Sequence, residues 1–133
     1  MKIKINNKLV SETSKTYFIA DIGANHDGSI KRAKKLIKLA ALSGADAAKF
    51  QHFNAKTIVS DKGFRQLGDK LSHQSTWKKS VYEVYEAASV NTDWSYELKE
   101  CCDDNEVEFM TTPYSFELAD HIDQFVNAYK IGS

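Results

Sequence analysis

Short apolar runs alternate with stretches of helical spacing along this chain, and that order admits few architectures. Tyr17-Phe18-Ile19-Ala20-Asp21-Ile22 is an apolar run closed by Gly23. Such runs read as strands buried on both faces, as in parallel sheets. From Ile30 to Ser43, the residues Ile30, Ala33, Leu36, Ile37, Ala40 and Ala41 recur at helical spacing. Ser29 is placed to cap the start of that helix and Gly44 to cap its end. The run from Ala47 to Phe53 follows as a second strand, completing a βαβ unit. Trp77, Val81, Val84, Tyr85 and Ala88 mark another helix. Trp94, Leu98 and Cys101 or Cys102 mark a further one, with Asp93 as N-cap and Asn105 as C-cap. Val107 to Thr112 is a third strand, stopped by Pro113. Leu118, Ile122, Phe125 and Val126 mark a helix, and Ala128 to Gly132 a fourth strand. The order β-α-β-α-α-β-α-β predicts an α/β protein with a parallel sheet. Ahead of it, residues 2–5 and 8–10 alternate around Asn6-Asn7 and predict a hairpin, assigned to residues 1–16. Residues 54–76 lack clean periodicity and read as a long loop, of the kind that usually carries function.

Charge and cysteine usage narrow the function. Lys plus Arg and Asp plus Glu each number 18, so the formal net charge is zero. A nucleic-acid binder usually carries a basic surplus, so that class is disfavoured. Lys31, Arg32, Lys34, Lys35 and Lys38 form a basic helix face, which an outer helix of an α/β fold needs as its solvated side. No secretory signal and no stretch long enough to span a bilayer is visible, so the expectation is no membrane partner and a cytoplasmic location. Cys101 and Cys102 are adjacent and read as reduced thiols packed on a helix.

In parallel α/β folds, ligands bind at the carboxyl ends of the strands. Polar residues gather there: Asp21, Asn25 and His26 at or after the first strand, Lys49 and Gln51 on the second. Thr111 and Thr112 lie on the third, and Lys130 and Ser133 on or after the fourth. Lys49 and Gln51 are two apart and share one face, while Ala48 and Phe50 take the other. A lysine inside an apolar strand is costly unless its charge is paired or used. Lys49 and Lys130, on separate strands, make either a cationic floor for phosphate or carboxylate, or two edge residues whose ammonium groups reach solvent. Asn25 and His26 fit either a ligand loop or a tight turn with a structural histidine.

Several runs resemble one family in order. Phe18 to Gly28 is similar to the opening strand and loop of the sialic acid synthase family, which includes N-acetylneuraminate, legionaminate and pseudaminate synthases. The likeness continues through Gly44 to Gln51, Ser80 to Glu83, Phe109 to Ser115 and Ala128 to Ser133. The resemblance implies a (β/α)8 TIM barrel, of which residues 17–133 would be the N-terminal half. It implies condensation of phosphoenolpyruvate with an N-acyl amino sugar such as N-acetylmannosamine. Lys49 and Lys130 would hold the phosphoenolpyruvate anion. Thr112 and Ser133 would donate hydroxyls to it, and Gln51 would contact the acceptor sugar. Asp21 stands where the family usually has Glu, one methylene longer, near the reacting centre; Asn25 and His26 fall in the substrate loop. A divalent metal, Mn2+ or Mg2+, is implied as Lewis acid, with ligands from later strands that this chain does not contain. His26, His52, His73 and His121 do not match those ligands. A C-terminal half, an antifreeze-like domain and a homodimer belong to the implied full-length enzyme.

A barrel takes roughly 250 residues, and this chain has 133. The length therefore reads as a cut through a larger fold, and the chain alone is expected to be inactive. Two other readings compete. One is a non-catalytic half-barrel remnant or assembly module, since opened sheet edges invite pairing. The other is a different phosphoenolpyruvate-dependent synthase, one making 3-deoxy sugar acids.

Overall fold

The computed structural model describes residues 2–67 and 77–132. His73 and Ser133 lie outside the described residues. The chain opens on an antiparallel hairpin, β1 (Lys2–Ile5) and β2 (Lys8–Ser11), with Lys2 opposite Ser11 and Ile5 opposite Lys8. Asn6 takes the left-handed turn position (φ 48°), a conformation in which Asn is among the better tolerated residues.

The sheet that follows is parallel and three-stranded, in the order β3 (Ile19–Gly23), β4 (Ala47–His52), β5 (Glu108–Pro113). Helix α1 (Ile30–Leu42) crosses from β3 to β4. Ser29 caps it by accepting from Arg32 N–H, and Gly44 follows at φ +80°, where a side chain would be strained. Both ends therefore lie where the sequence pattern predicts them. From β4 to β5 the chain passes through α2 (Ala55–Ile58), α3 (Asp61–Leu67), α4 (Val81–Ala88) and α5 (Ser95–Asp104). α6 (Phe116–Ile122) comes after β5, capped by Ser115.

Three local expectations need correction. The expected loop over 54–76 contains α2 and α3, helices too short to show a full apolar period. Asp93 does not cap α5, which begins after Trp94 without a side-chain cap: a 3-10 turn at Thr92–Trp94 precedes it, and Asn91 caps that turn by accepting from Asp93 N–H. The fourth strand is reduced to one parallel bridge, Thr111 to Tyr129, with Lys130 N–H donating to the Thr111 carbonyl at 3.0 Å. That segment meets β5 on one side only, so few ladder bonds hold it.

The core lies between one face of the sheet and the helices. Ala48, Phe50 and Phe109 from the strands meet Ala33 and Ile37 of α1 and Leu98 and Cys102 of α5. Cys101 and Cys102 are free thiols inside this layer, and burial raises the pKa of both.

The hairpin is tied to the start of the strands. Lys8 Nζ donates to Asp46 Oδ1 at 2.6 Å, and Phe18 N–H donates to Asp46 Oδ2 at 2.7 Å. These two bonds hold the Asp46 carboxyl below its usual pKa. Glu108 accepts from Asn6 at 3.2 Å and from Asn127 at 2.8 Å.

Candidate functional site

Parallel register decides which side chains share a face. Asp21 lies opposite Lys49, and Lys49 opposite Met110; Gln51 lies opposite Thr112. Asp21, Lys49, Gln51, Met110 and Thr112 therefore stand on the face away from the helices. Tyr129 pairs with Thr111, so Lys130 falls on that same face, level with Thr112. Tyr129 points back instead, its hydroxyl donating to Asp123 of the 3-10 turn after α6 at 2.7 Å.

Lys49 is the most constrained member. Its side chain is 5% exposed, and its ammonium meets Asp21 Oδ1 at 2.6 Å, on a carboxylate that is 66% exposed. An ammonium this buried needs a partner, and Asp21 offers one from the solvent side. Gly23 closes β3 at φ +55°, where a Cβ would approach Asp21 Oδ1 to 3.2 Å and the Gln51 amide to 3.9 Å. Asp21, Lys49 and Gln51 thus converge around a turn that only glycine suits. At the other side, a Cβ on Gly132 would meet the Tyr114 hydroxyl at 3.0 Å and the Thr112 methyl at 3.1 Å. Among the described residues, the Lys130 ammonium has no ion-pair partner.

Two expected residues lie apart from this group. Asn25 turns the chain: its side-chain amide donates to the Ile22 carbonyl at 2.9 Å, and its own carbonyl accepts from Arg32 Nε at 2.8 Å. His26 is fully buried, edge-on to Trp94 at 5.8 Å. Its Nδ1 accepts from Gly28 N–H at 3.1 Å, which leaves the ring proton on Nε2. Burial lowers its pKa, against raising effects from Asp27 and the Ala88 backbone. A ring enclosed in this way packs the loop against Trp94. Thr111, at the same strand end, is one residue out of phase with Thr112 and faces the helices. Ser133 lies outside the described residues.

Sequence reasoning passed over Tyr114, which shares the parity of Thr112 just beyond β5. It also passed over Gly23 and Gly132 as close-approach positions. The two-residue alternation that located Lys49 and Gln51 could have found Tyr114. Among the described residues, no three His, Cys, Asp or Glu side chains converge so as to hold a metal ion.

Residues 36–133 match the model of the NeuB family. The pseudaminic acid synthase of Campylobacter jejuni is 33% identical over 123 residues, covering 90% of this chain and 34% of that protein. The N,N'-diacetyllegionaminic acid synthase of Legionella pneumophila is 32% identical over 120 residues, covering 90% and 33%. Among solved structures, the spore coat polysaccharide biosynthesis protein SpsE of Bacillus subtilis superposes with a TM-score of 0.72 at 29% identity. The match covers 98% of this chain and 33% of that one. The N-acetylneuraminic acid synthetase of Leptospira borgpetersenii gives a TM-score of 0.80 at 22% identity, over 98% and 41%, and so supports the fold alone. The chain spans about a third of the length of the curated relatives it matches. Its helices on one face of a parallel sheet form part of a TIM barrel, and the chain belongs to the NeuB family, that of the sialic acid synthases.

Proposed function

We propose that this chain supplies the phosphoenolpyruvate-binding floor of a nonulosonic acid synthase. The observation that carries this is the common face shared by Lys49, Thr112 and Lys130, with Asp21 and Gln51 beside Lys49. Two ammonium groups and a hydroxyl on one floor suit a small, doubly anionic substrate. The named activities of the relatives support the class: they are synthases of pseudaminic acid, N,N'-diacetyllegionaminic acid and N-acetylneuraminate 9-phosphate.

In the proposed reaction, C3 of phosphoenolpyruvate attacks the open-chain aldehyde of an N-acyl amino sugar. Water adds at C2, and phosphate leaves with cleavage of the C–O bond. Lys49 and Lys130 hold the anion and offset the charge that gathers on the departing phosphate. Thr112 donates its hydroxyl to the same anion, with Ser133 as a second donor. Gln51 turns its amide toward the sugar. Asp21 balances Lys49 until the substrate anion arrives, and then faces the reacting carbons. The divalent ion of the family would polarise the aldehyde. The described residues do not fit it, because the nearby carboxylate, Asp21, is already committed to Lys49. No step here depends on it. No described helix is long and apolar enough to cross a membrane; a cytoplasmic location, a homodimeric whole enzyme and an N-acyl amino sugar acceptor, such as N-acetylmannosamine, accompany the proposal.

Titration calorimetry of the 133-residue chain with phosphoenolpyruvate is the test. Binding should weaken about tenfold or more in Lys49→Met and again in Lys130→Met, since hydrogen bonds to charged groups carry about 1.5–3 kcal/mol. Affinity no better than for sulfate, or unchanged by both substitutions, would overturn the assignment.

A further inference from the structure

Behind the strands that carry Lys49 and Thr112, four polar side chains form a line on the helix face. His52 Nδ1 lies 2.8 Å from Thr111 Oγ1, across β4 and β5. His52 Nε2 lies 3.5 Å from Ser95 Oγ, at the start of α5. Ser95 Oγ lies 3.1 Å from His121 Nε2 on α6. The other β4 residues on this face are Ala48 and Phe50, so His52 is the polar exception in an apolar row. The Ser95–His121 pair has the spacing of a nucleophile and its base, but Ser95 is 1% exposed and no substrate could reach it.

Counting protons shows what the line does. A serine hydroxyl has one hydrogen, so Ser95 donates to one imidazole and accepts from the other. If His52 Nε2 is the acceptor, His121 Nε2 must carry a proton. The His52 proton then sits on Nδ1 and is donated to Thr111 Oγ1. In the opposite sense, every donor and acceptor reverses, and Thr111 donates to Nδ1. Either way the two rings hold opposite Nε2 states, and the buried Thr111 Oγ1 is held against His52 Nδ1. Thr111 also carries the bridge to Tyr129 and the carbonyl that takes Lys130 N–H at 3.0 Å.

We propose that His52 is a positioning residue for the anion floor: backed by Ser95 and His121, it fixes Thr111, and Thr111 holds the backbone that presents Lys130. This rests on the phosphoenolpyruvate assignment above, but its first readout does not. Hydrogen exchange at the Lys130 amide should quicken about five- to tenfold in His52→Leu, the size expected for one lost net hydrogen bond. His52→Asn keeps a polar atom near the position of Nδ1 and should restore slow exchange. Phosphoenolpyruvate affinity should fall and recover in parallel. Nitrogen-15 spectra of the wild-type chain should show opposite Nε2 protonation on His52 and His121. Unchanged exchange in His52→Leu, no rescue by Asn, or the same Nε2 state on both rings would overturn the proposal. If His52→Leu does not fold, Thr111→Val removes the same contact at nearly constant volume and is read identically. A wild-type chain that fails to bind phosphoenolpyruvate would remove the substrate assignment, and the exchange data would still decide the positioning role.

Discussion

His52 shows how a single side chain can be fitted to one protonation state. It is fully buried, and its pKa is pushed down from 6.5 to about 4, first by burial and then by the neighbouring His121 and His26. The folded chain therefore refuses a proton that the unfolded chain accepts below about pH 6.5. Stability is unaffected above that pH and falls as the pH drops from 6.5 toward 4, by up to about 3 kcal/mol. Urea titrations at pH 7.5, 5.5 and 4.5 should show this decline, and His52→Asn should make it shallower, leaving the part that buried His26 contributes. An equal decline in the variant would exclude His52 as its source. At this scale, sequence reasoning read what alternation can reveal. Lys49 and Gln51 two apart gave their shared face, and the cost of an unpaired lysine pointed to a partner, found in Asp21. It put Thr111 and Thr112 on one strand, and one residue of phase sends Thr111 to the helix face and Thr112 to the other. It grouped His26 with the substrate loop because a histidine after a strand end looks alike whether its ring faces out or in.

At the scale of elements, α1 was the most legible, since a serine cap, a glycine stop and a clean apolar stripe agree. The short helices α2 and α3 were hidden because four and seven residues do not complete a diagnostic period. Asn91 and Asp93 are equally good caps by type, and only the intervening 3-10 turn selects Asn91. The hairpin was visible from its alternation, but not its attachment. Asp46 joins it to the sheet through Lys8 and the Phe18 amide. Asp46→Ala should therefore lower stability by about 1 kcal/mol, because a partly exposed ion pair and a charge-assisted bond from the Phe18 N–H are lost to water. Chemical denaturation measures this, and it should leave phosphoenolpyruvate affinity unchanged. A loss of affinity as large as the loss of stability would mean that the hairpin end and the substrate end are coupled.

For the molecule as a whole, the described residues form a parallel sheet covered on one face by helices and carrying Lys49, Thr112 and the proposed anion floor on the other. Phe116 and Ile131 stand 88% and 78% exposed near the β5 side. Curated relatives extend to about three times the length of this chain. The 133-residue chain should release no phosphate from phosphoenolpyruvate with N-acetylmannosamine and Mn2+, even where it binds phosphoenolpyruvate. A coupled phosphate assay settles this, and turnover by the purified chain would show that these residues suffice. The acidic anchors at the opposite end of the strands have one more consequence. Asp46 and Glu108 sit at the entry of β4 and β5 and engage the hairpin, the residue before β3 and the turn after α6. A slip of one residue in β4 would unseat Asp46 and, in the same movement, send Lys49 into the apolar layer, and a slip in β5 would unseat Glu108 and turn Thr112 inward. A slipped β4 thus loses its latch and its charge balance together, so the rim farthest from the proposed site acts as a proofreader of strand alignment during folding.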